Sequence, residues 1–178
     1  MKPIGGGMNK PLSCLTAVIC FSLLNACTDE AAECRNLYAA EQYSEALPFC
    51  QEACDMNDGS GCFFLGALYG GGQGVTQDYR QAKTYFEKAC NLNNGYGCDS
   101  LGSIYDAKVQ DYQQAKTYYE KACNLNIGYG CDSLGVIYEK GQGVRQNFKT
   151  AKEYYGKACD LGEQKGCNSY RELNEKGY

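Results

Sequence analysis

The sequence contains no histidine and no tryptophan, and only 3 of its 178 residues are proline. Without histidine, the chain cannot build the histidine-based zinc sites or the Ser-His and Cys-His pairs that activate a nucleophile. Basic residues are not in excess, since 17 Lys and Arg stand against 21 Asp and Glu, and they form no stripe. We therefore expect no nucleic-acid partner, and we predict no metal and no cofactor.

The sequence also lacks an apolar run long enough to span a bilayer. The run from Leu12 to Leu24 has about thirteen residues, whereas a spanning helix needs about 20. It follows Lys10 and suits the hydrophobic region of a secretory signal. We therefore predict a signal peptide over residues 1–26, with Met8 as an alternative start, and an exported protein.

Two outcomes of signal cleavage are open. Leu24-Asn25-Ala26-Cys27 resembles a bacterial lipobox, which predicts lipidation of Cys27 and an outer-membrane lipoprotein that touches the membrane only through its anchor. Alternatively, ordinary signal peptidase cuts after Ala26, which leaves Cys27 bare and the protein periplasmic or secreted. Setting aside Cys27 and the signal cysteines Cys14 and Cys20 leaves an even set of ten, as expected of an exported disulfide-bonded chain.

The remaining cysteines belong to an internal repeat. The stretch EKACNLNNGYGCDSLG at Glu87–Gly102 recurs at Glu120–Gly135, and the two copies differ only in Asn94 against Ile127. Each copy holds two cysteines with seven residues between them. The same spacing occurs in Cys54/Cys62 and Cys159/Cys167. The pairs follow each other at 36, 33 and 36 residues, and such a period predicts a repeat architecture.

Each unit of the repeat reads as two helices. In Asp78–Asn93, and in its copies 111–126 and 147–161, apolar residues recur at three- and four-residue intervals, which is typical of one helical face. The predicted N-caps of these helices are Asp78, Asp111 and Asn147. The predicted left-handed stops just past them are Gly95 and Gly128.

The other helix of each unit opens near Cys98 or its equivalents and carries Leu-Gly-x-x-Tyr. Its glycines, Gly66, Gly102 and Gly135, cost about 1 kcal/mol each inside a helix. Their recurrence predicts that a neighbouring helix approaches closely there. The turn that follows is rich in glycine, except in the middle unit, which is three residues shorter at Ala107-Lys108-Val109.

These patterns predict an all-α fold, a solenoid of αα-hairpins over residues 27–178. Its predicted parts are a divergent first unit at 29–57, units at about 58–93, 94–126 and 127–162, and a terminal helix at 163–175.

The cysteines of each pair lie at equal distances from a predicted turn, so they face each other across two antiparallel helices. Cys90 and Cys98, for example, centre on Asn94. Because units that fold alike must pair alike, the repetition predicts five local disulfides. The predicted disulfides are Cys34–Cys50, Cys54–Cys62, Cys90–Cys98, Cys123–Cys131 and Cys159–Cys167.

The chain resembles Sel-like repeat proteins, which are relatives of the tetratricopeptide family. The resemblance rests on Leu-Gly-x-x-Tyr, on Gly-x-Gly-Val in the turn and on Ala-x-x-Tyr-[Phe/Tyr]-x-x-Ala. The added Cys-x7-Cys is similar to the secreted, disulfide-rich Helicobacter cysteine-rich proteins. The resemblance implies a right-handed superhelix with a concave face and scaffolding between proteins. It also implies a second function, because members of that branch have been described as penicillin-binding proteins or slow β-lactamases.

The predicted function is a scaffold that binds a protein, a peptide or a peptidoglycan stem on its concave face. The predicted binding residues are Asp99, Ser103, Asp132 and Val136, with Phe63, Ala67, Asn168 and Arg171 at related places in other units. The aspartates have an alternative explanation, which is that they favour the positive N-terminal end of a helix. Tyr96 and Tyr129 are candidate ligand platforms, or else pack locally beside the disulfides.

For the alternative function, β-lactam binding or hydrolysis, the sequence contains no recognisable catalytic motif. Serine enzymes of this kind use Ser-x-x-Lys, and none of the serines has a lysine three residues later. Ser-Asp-Asn and Lys-Thr-Gly are also absent. Acylation would need an unassigned nucleophile such as Ser100 or Ser133, each next to an aspartate, so we predict no catalytic residue.

Overall fold

The computed structural model describes residues 29–178, which fold as an all-α solenoid. The predicted signal peptide and Cys27 lie outside the described residues. The helices are α1 Glu30–Ala39, α2 Tyr43–Asp55, α3 Gly59–Gly71, α4 Tyr79–Asn91, α5 Gly95–Ile104, α6 Tyr112–Asn124, α7 Gly128–Lys140, α8 Phe148–Asp160 and α9 Gln164–Glu175. No strand occurs in this part of the chain, and the predicted all-α repeat fold is confirmed.

The helices alternate between two roles. We call α1, α3, α5, α7 and α9 the leading helices and α2, α4, α6 and α8 the trailing helices. Each leading helix from α1 to α7 packs on the trailing helix that follows it, α9 packs on α8, and successive leading helices also contact one another. The leading helices therefore form one continuous layer.

The trailing helices begin where the sequence predicts. Asp78 accepts hydrogen bonds from the backbone N–H groups of Arg80 and Gln81, at 2.9 and 3.1 Å. Asp111 and Asn147 cap α6 and α8 in the same way. These side chains satisfy backbone donors that have no partner within the helix, and the three predicted N-caps are confirmed.

The prediction that Gly95 and Gly128 end helices is wrong. The left-handed residues are Asn93, with φ of 59°, and Asn126, with φ of 61°. Gly95 instead opens α5, three residues before Cys98. A Cβ at Gly95 would lie 2.4 Å from the Cγ1 of Ile127, so glycine is required there by the close approach of the next unit.

The shortened middle unit forms a π-helical turn over Tyr105–Val109, which ends at Gln110 with φ of 55°. In the units on either side, the glycine turn instead reaches the preceding unit. A Cβ at Gly74 would lie 2.7 Å from the backbone of Ser44, and one at Gly143 would lie 2.8 Å from Tyr112 Cβ. The three-residue deletion therefore replaces a turn with a widened helical end.

Five disulfides join the cysteine pairs given above, with Cα–Cα distances from 4.4 to 4.8 Å. One closes the first hairpin between α1 and α2. Each of the other four joins a trailing helix to the next leading helix, for example α4 to α5 through Cys90–Cys98. The disulfides therefore hold consecutive units together as well as closing turns.

Small and aromatic residues share the packing inside each unit. The six alanines that repeat in the trailing helices are fully or almost fully buried: Ala82, Ala89, Ala115, Ala122, Ala151 and Ala158. Stacked tyrosine pairs join each leading helix, or the π-helical turn that follows α5, to the next trailing helix. Their ring centroids are 5.4 to 5.6 Å apart: Tyr69–Tyr85, Tyr105–Tyr118 and Tyr138–Tyr154. Among the described helices, none is both long and apolar enough to cross a membrane.

Gly102→Ala is expected to lower the free energy of unfolding by about 1–2 kcal/mol, because the added Cβ would lie 2.5 Å from the Tyr119 ring. Gly70→Ala is the matched control, since its Cβ would meet only the Ala82 side chain, at 3.5 Å. It is expected to raise stability by about 0.5–1 kcal/mol, because alanine is the better helix former. Urea denaturation of both variants measures this difference, and equal effects would contradict the packing described.

Candidate functional site

The predicted binding residues lie at matching positions of two leading helices that contact each other, α5 and α7. On α5 they are Tyr96, Asp99 and Ser103, and on α7 they are Tyr129, Asp132 and Val136. Spacings of three and four residues place each set on one side of its helix. We call the surface formed by these six residues the leading-helix face.

Asp99 is the most buried carboxylate of this face. Its Oδ1 atom is buried and has no hydrogen-bond partner among residues 29–178. Burial raises the pKa of Asp99 from its ordinary value of 3.8 to about 6. An ionised carboxylate held in this way costs stability.

Asp132 repeats this arrangement in a different electrostatic setting. Its Oδ1 is also buried without a partner in the described part of the chain. Burial is the main cause that raises the pKa of Asp132. Repulsion from Glu163 raises this pKa further, and the positive charge of Lys165 lowers it. The two sites differ in the residue that precedes the next leading helix. For Asp132 this residue is Glu163, between α8 and α9, and for Asp99 it is Ile127, between α6 and α7.

Helix capping does not explain the two aspartates. Asn94 caps α5, because its side chain accepts a hydrogen bond from Gly97 N–H at 3.0 Å. Asp99 is the fifth residue of α5, and the first turns of α5 and α7 contain no acidic residue. The carboxylates are therefore not the groups that satisfy the helix N-termini.

Tyrosine hydroxyls from the trailing helices reach the same region, and the sequence reasoning did not single them out. The Tyr119 hydroxyl lies 3.4 Å from Ser103 Oγ, and the Tyr155 hydroxyl donates to Glu139 Oε2 at 2.6 Å. Burial raises the pKa of both tyrosines above the ordinary value of 10. The available signal was the [Phe/Tyr] alternation of the motif, since Phe86 occupies this position in the second unit.

Tyr96 and Tyr129 border a small pocket between adjacent turns. Their side chains are 50% and 54% exposed, and Tyr96 also packs against Phe63 with ring centroids 5.6 Å apart. The pocket measures about 180 Å³ and is further lined by residues of the two turns, including Ile127, Leu161 and Glu163. Local packing thus accounts for one side of Tyr96, and both rings remain available to a ligand.

Ser100 and Ser133 do not lie in a recognisable catalytic arrangement. Both are half-buried on leading helices, and Ser133 lies within reach of the Tyr119 hydroxyl. No group of three His, Cys, Asp or Glu side chains within the described range could hold a metal ion. What the site offers is hydrogen-bond acceptors, hydroxyl donors and aromatic surface, which are the elements of a recognition surface.

Two protein families match this chain, one at two helix pairs and the other at the helix pair between them. The Sel1 repeat family matches residues 59–94 and 129–163, which contain α3–α4 and most of α7–α8. The tetratricopeptide repeat family matches residues 97–126, in the shortened middle unit. Repeats of both kinds generally mediate contacts between proteins.

Comparison with individual known proteins identifies more specific relatives of the chain. It is 35% identical to Helicobacter pylori cysteine rich protein B, covering 71% of this chain and 93% of that one, with a TM-score of 0.57. A Sel1 repeat protein from Oxalobacter formigenes shares the fold, with a TM-score of 0.72 at 24% identity, over 78% of this chain and 56% of that one. The Helicobacter pylori protein named "Putative beta-lactamase HcpC" is 42% identical over 40 residues, which is 22% of this chain.

The match to HcpC spans only 14% of that protein, and the chain spans little more than half of the Oxalobacter protein. The match to cysteine rich protein B, by contrast, covers nearly the whole length of that protein. The chain therefore belongs to the Sel1-repeat family, as a homologue of the Helicobacter cysteine-rich proteins.

Proposed function

We propose that this chain is an exported, disulfide-stapled scaffold whose leading-helix face binds an extended peptide segment, either of a partner protein or of a peptidoglycan stem. The observation that carries the proposal is the pair of aspartates, Asp99 and Asp132, each with a buried oxygen that lacks a partner. A buried acceptor without a hydrogen bond is costly. Both residues remain partly exposed, so peptide N–H groups that reach the accessible part of each carboxylate would supply it with a donor.

The geometry of the layer suits an extended ligand. Packed helices lie about 8–10 Å apart, and an extended chain advances about 3.3–3.6 Å per residue. Equivalent residues on α5 and α7 are therefore separated by about three residues of bound peptide. The exposed Ser103 hydroxyl lies alongside and can contact peptide carbonyl groups, while the buried Tyr119 hydroxyl lies 3.4 Å from Ser103 Oγ.

Export is supported by the cysteines. Five disulfides in a chain of this size indicate an oxidising compartment outside the cytoplasm. Within the proposal, residues 1–26 direct export and Cys27 carries the lipid that keeps the protein at the outer membrane. A periplasmic or secreted form follows if Cys27 is not acylated.

The experiment is selection of random displayed peptides on the oxidised chain, followed by binding measurements on variants. Asp99→Asn and Asp132→Asn are each expected to weaken the selected peptides about tenfold, because a hydrogen bond to a charged group contributes about 1.5–3 kcal/mol. Glu153→Gln, on the trailing helix α8, is the control and is expected to change binding less than twofold. Peptides that bind all three variants equally would contradict the proposed face.

β-Lactam hydrolysis is the second function to test, because HcpC bears a β-lactamase name. Neither Ser100 nor Ser133 is followed by the lysine that serine enzymes of this class use. A chromogenic cephalosporin assay on the oxidised protein is expected to show no turnover above a reduced control. Turnover that survives repurification and disappears with Ser100→Ala or Ser133→Ala would overturn this expectation.

A further inference from the structure

A small pocket lies beside Tyr96 and Tyr129 of the leading-helix face. Pockets for drug-sized ligands measure about 300–1,000 Å³, whereas this one measures about 180 Å³. It therefore fits a single side chain better than a whole small molecule. Tyr96 and Tyr129, each about half-exposed, border it, and Ile127 and Leu161 are among the residues that line it.

The electrostatics of the pocket favour a positive charge. Its only charged lining residue is Glu163, so no basic side chain of the described residues lines it. Glu163 is also near enough to Asp132 for the two carboxylates to repel each other, and Lys165 offsets this in part. Residues 27–178 carry 15 basic and 21 acidic side chains, after Lys2 and Lys10 are subtracted from the 17, so the chain as a whole also attracts cations.

The same chain already places lysines over tyrosine rings. Lys83 Nζ lies 4.8 Å from the centroid of Tyr105, and Lys152 Nζ lies 5.5 Å from that of Tyr170. Both distances fall within the about 6 Å at which a cation is attracted to a ring. Tyr96 and Tyr129 bring two further tyrosines to the edge of the pocket.

We infer that this pocket receives a lysine or arginine side chain of the bound peptide, seated between Tyr96 and Tyr129 with its charge toward Glu163. The inference rests on the proposed peptide-binding function, and it adds the chemical class of residue that the scaffold selects. The rings supply cation–π attraction and cover the apolar stem of the side chain. Glu163 supplies the counter-charge, while its cap contact with Lys165 N–H at 3.1 Å holds it in place.

The test uses small probes, so that it does not depend on finding a peptide. Nα-acetyl-lysine amide, whose side chain is charged, and the uncharged Nα-acetyl-norleucine amide are titrated separately into the ¹⁵N-labelled, oxidised chain. The lysine probe is expected to shift the amide resonances of Tyr96, Gly128, Tyr129 and Glu163 saturably, and to bind at least about three times more tightly than the norleucine probe. Equal shifts by the two probes, or none by the lysine probe, would overturn the inference.

Variants locate the effect. Tyr96→Leu and Tyr129→Leu are each expected to weaken binding of the lysine probe about threefold, since one exposed cation–π contact contributes a factor of this order. Glu163→Gln is expected to weaken it by a similar factor, because it removes the counter-charge. Tyr79→Leu is the control, because Tyr79 is a tyrosine of similar exposure, 57%, on the trailing helix α4, and it is expected to leave binding unchanged. Weakening by the control to the same extent would also overturn the inference.

The result separates this inference from the proposed function. Selected peptides that need Asp99 and Asp132 but show no preference for lysine or arginine would leave the scaffold function standing and remove the cationic site. A lysine probe that binds the pocket, together with selected peptides that ignore both aspartates, would support the cationic site and remove the proposed peptide face.

Discussion

Replacement of both Cys90 and Cys98 by alanine is expected to lower the free energy of unfolding by about 2.5 kcal/mol, the chain-entropy value for a nine-residue loop. The disulfide joins α4 to α5 in the middle of the solenoid. In a repeat protein each unit is stabilised mainly by its neighbours, so loss of this connection is also expected to separate unfolding into two steps. Urea denaturation followed by circular dichroism measures both effects.

The matched control removes the last disulfide, Cys159–Cys167, which attaches only the terminal helix α9. Its loss is expected to release α9 while the preceding units still unfold together. If the two double variants unfold alike, the disulfides do not couple neighbouring units in the way described. Reduction of all four nine-residue loops would remove about 10 kcal/mol as an upper bound, which rivals the net stability of a small domain.

Asp99→Asn is expected to stabilise the protein by about 2 kcal/mol at pH 7 while it weakens peptide binding. Burial raises the pKa of Asp99 to about 6 in the folded chain, against 3.8 as the ordinary value. One pKa unit corresponds to about 1.4 kcal/mol, so the ionised carboxylate destabilises the fold by about 2–3 kcal/mol. The neutral amide avoids most of this cost, although its buried oxygen still lacks a partner.

The pH dependence follows from the sign of the shift. Because the folded pKa lies above the unfolded one, the folded state binds the proton more tightly, and stability from this group falls as pH rises from about 3.8 to about 6. The difference between the Asp99→Asn variant and the parent protein is therefore expected to be small at pH 4 and full above pH 6. Urea titrations across this range measure it. A constant difference would show that the Asp99 charge does not cause the effect.

Repetition made much of the fold predictable. Two nearly identical copies of the cysteine motif fixed the period, the positions of the cysteine pairs and the face that Asp99 and Asp132 share. The N-caps Asp78 and Asp111 were predictable because capping depends on a few consecutive residues. The error at Gly95 had a tertiary cause, because the close approach of Ile127 from the next unit is invisible in the local sequence.

The details of the site depended on what the following unit supplies. Asp99 and Asp132 have the same immediate neighbours in the sequence. The next unit, however, begins with Ile127 in one case and with Glu163 in the other, which gives the two carboxylates different electrostatic surroundings. The pocket likewise needs side chains from two turns, at Tyr129 and Glu163, that are far apart in the sequence. Periodicity places a residue on a helix face, but it does not give the depth at which that residue is buried.

Local disulfides join successive helical units of this chain to one another. The most direct test is a non-reducing peptide map, with a thiol count, of the protein isolated from its native compartment. The account predicts no reactive thiol among the ten cysteines from Cys34 to Cys167, and five linked peptide pairs that each bridge one turn. Several free thiols, or a disulfide between distant units, would contradict it.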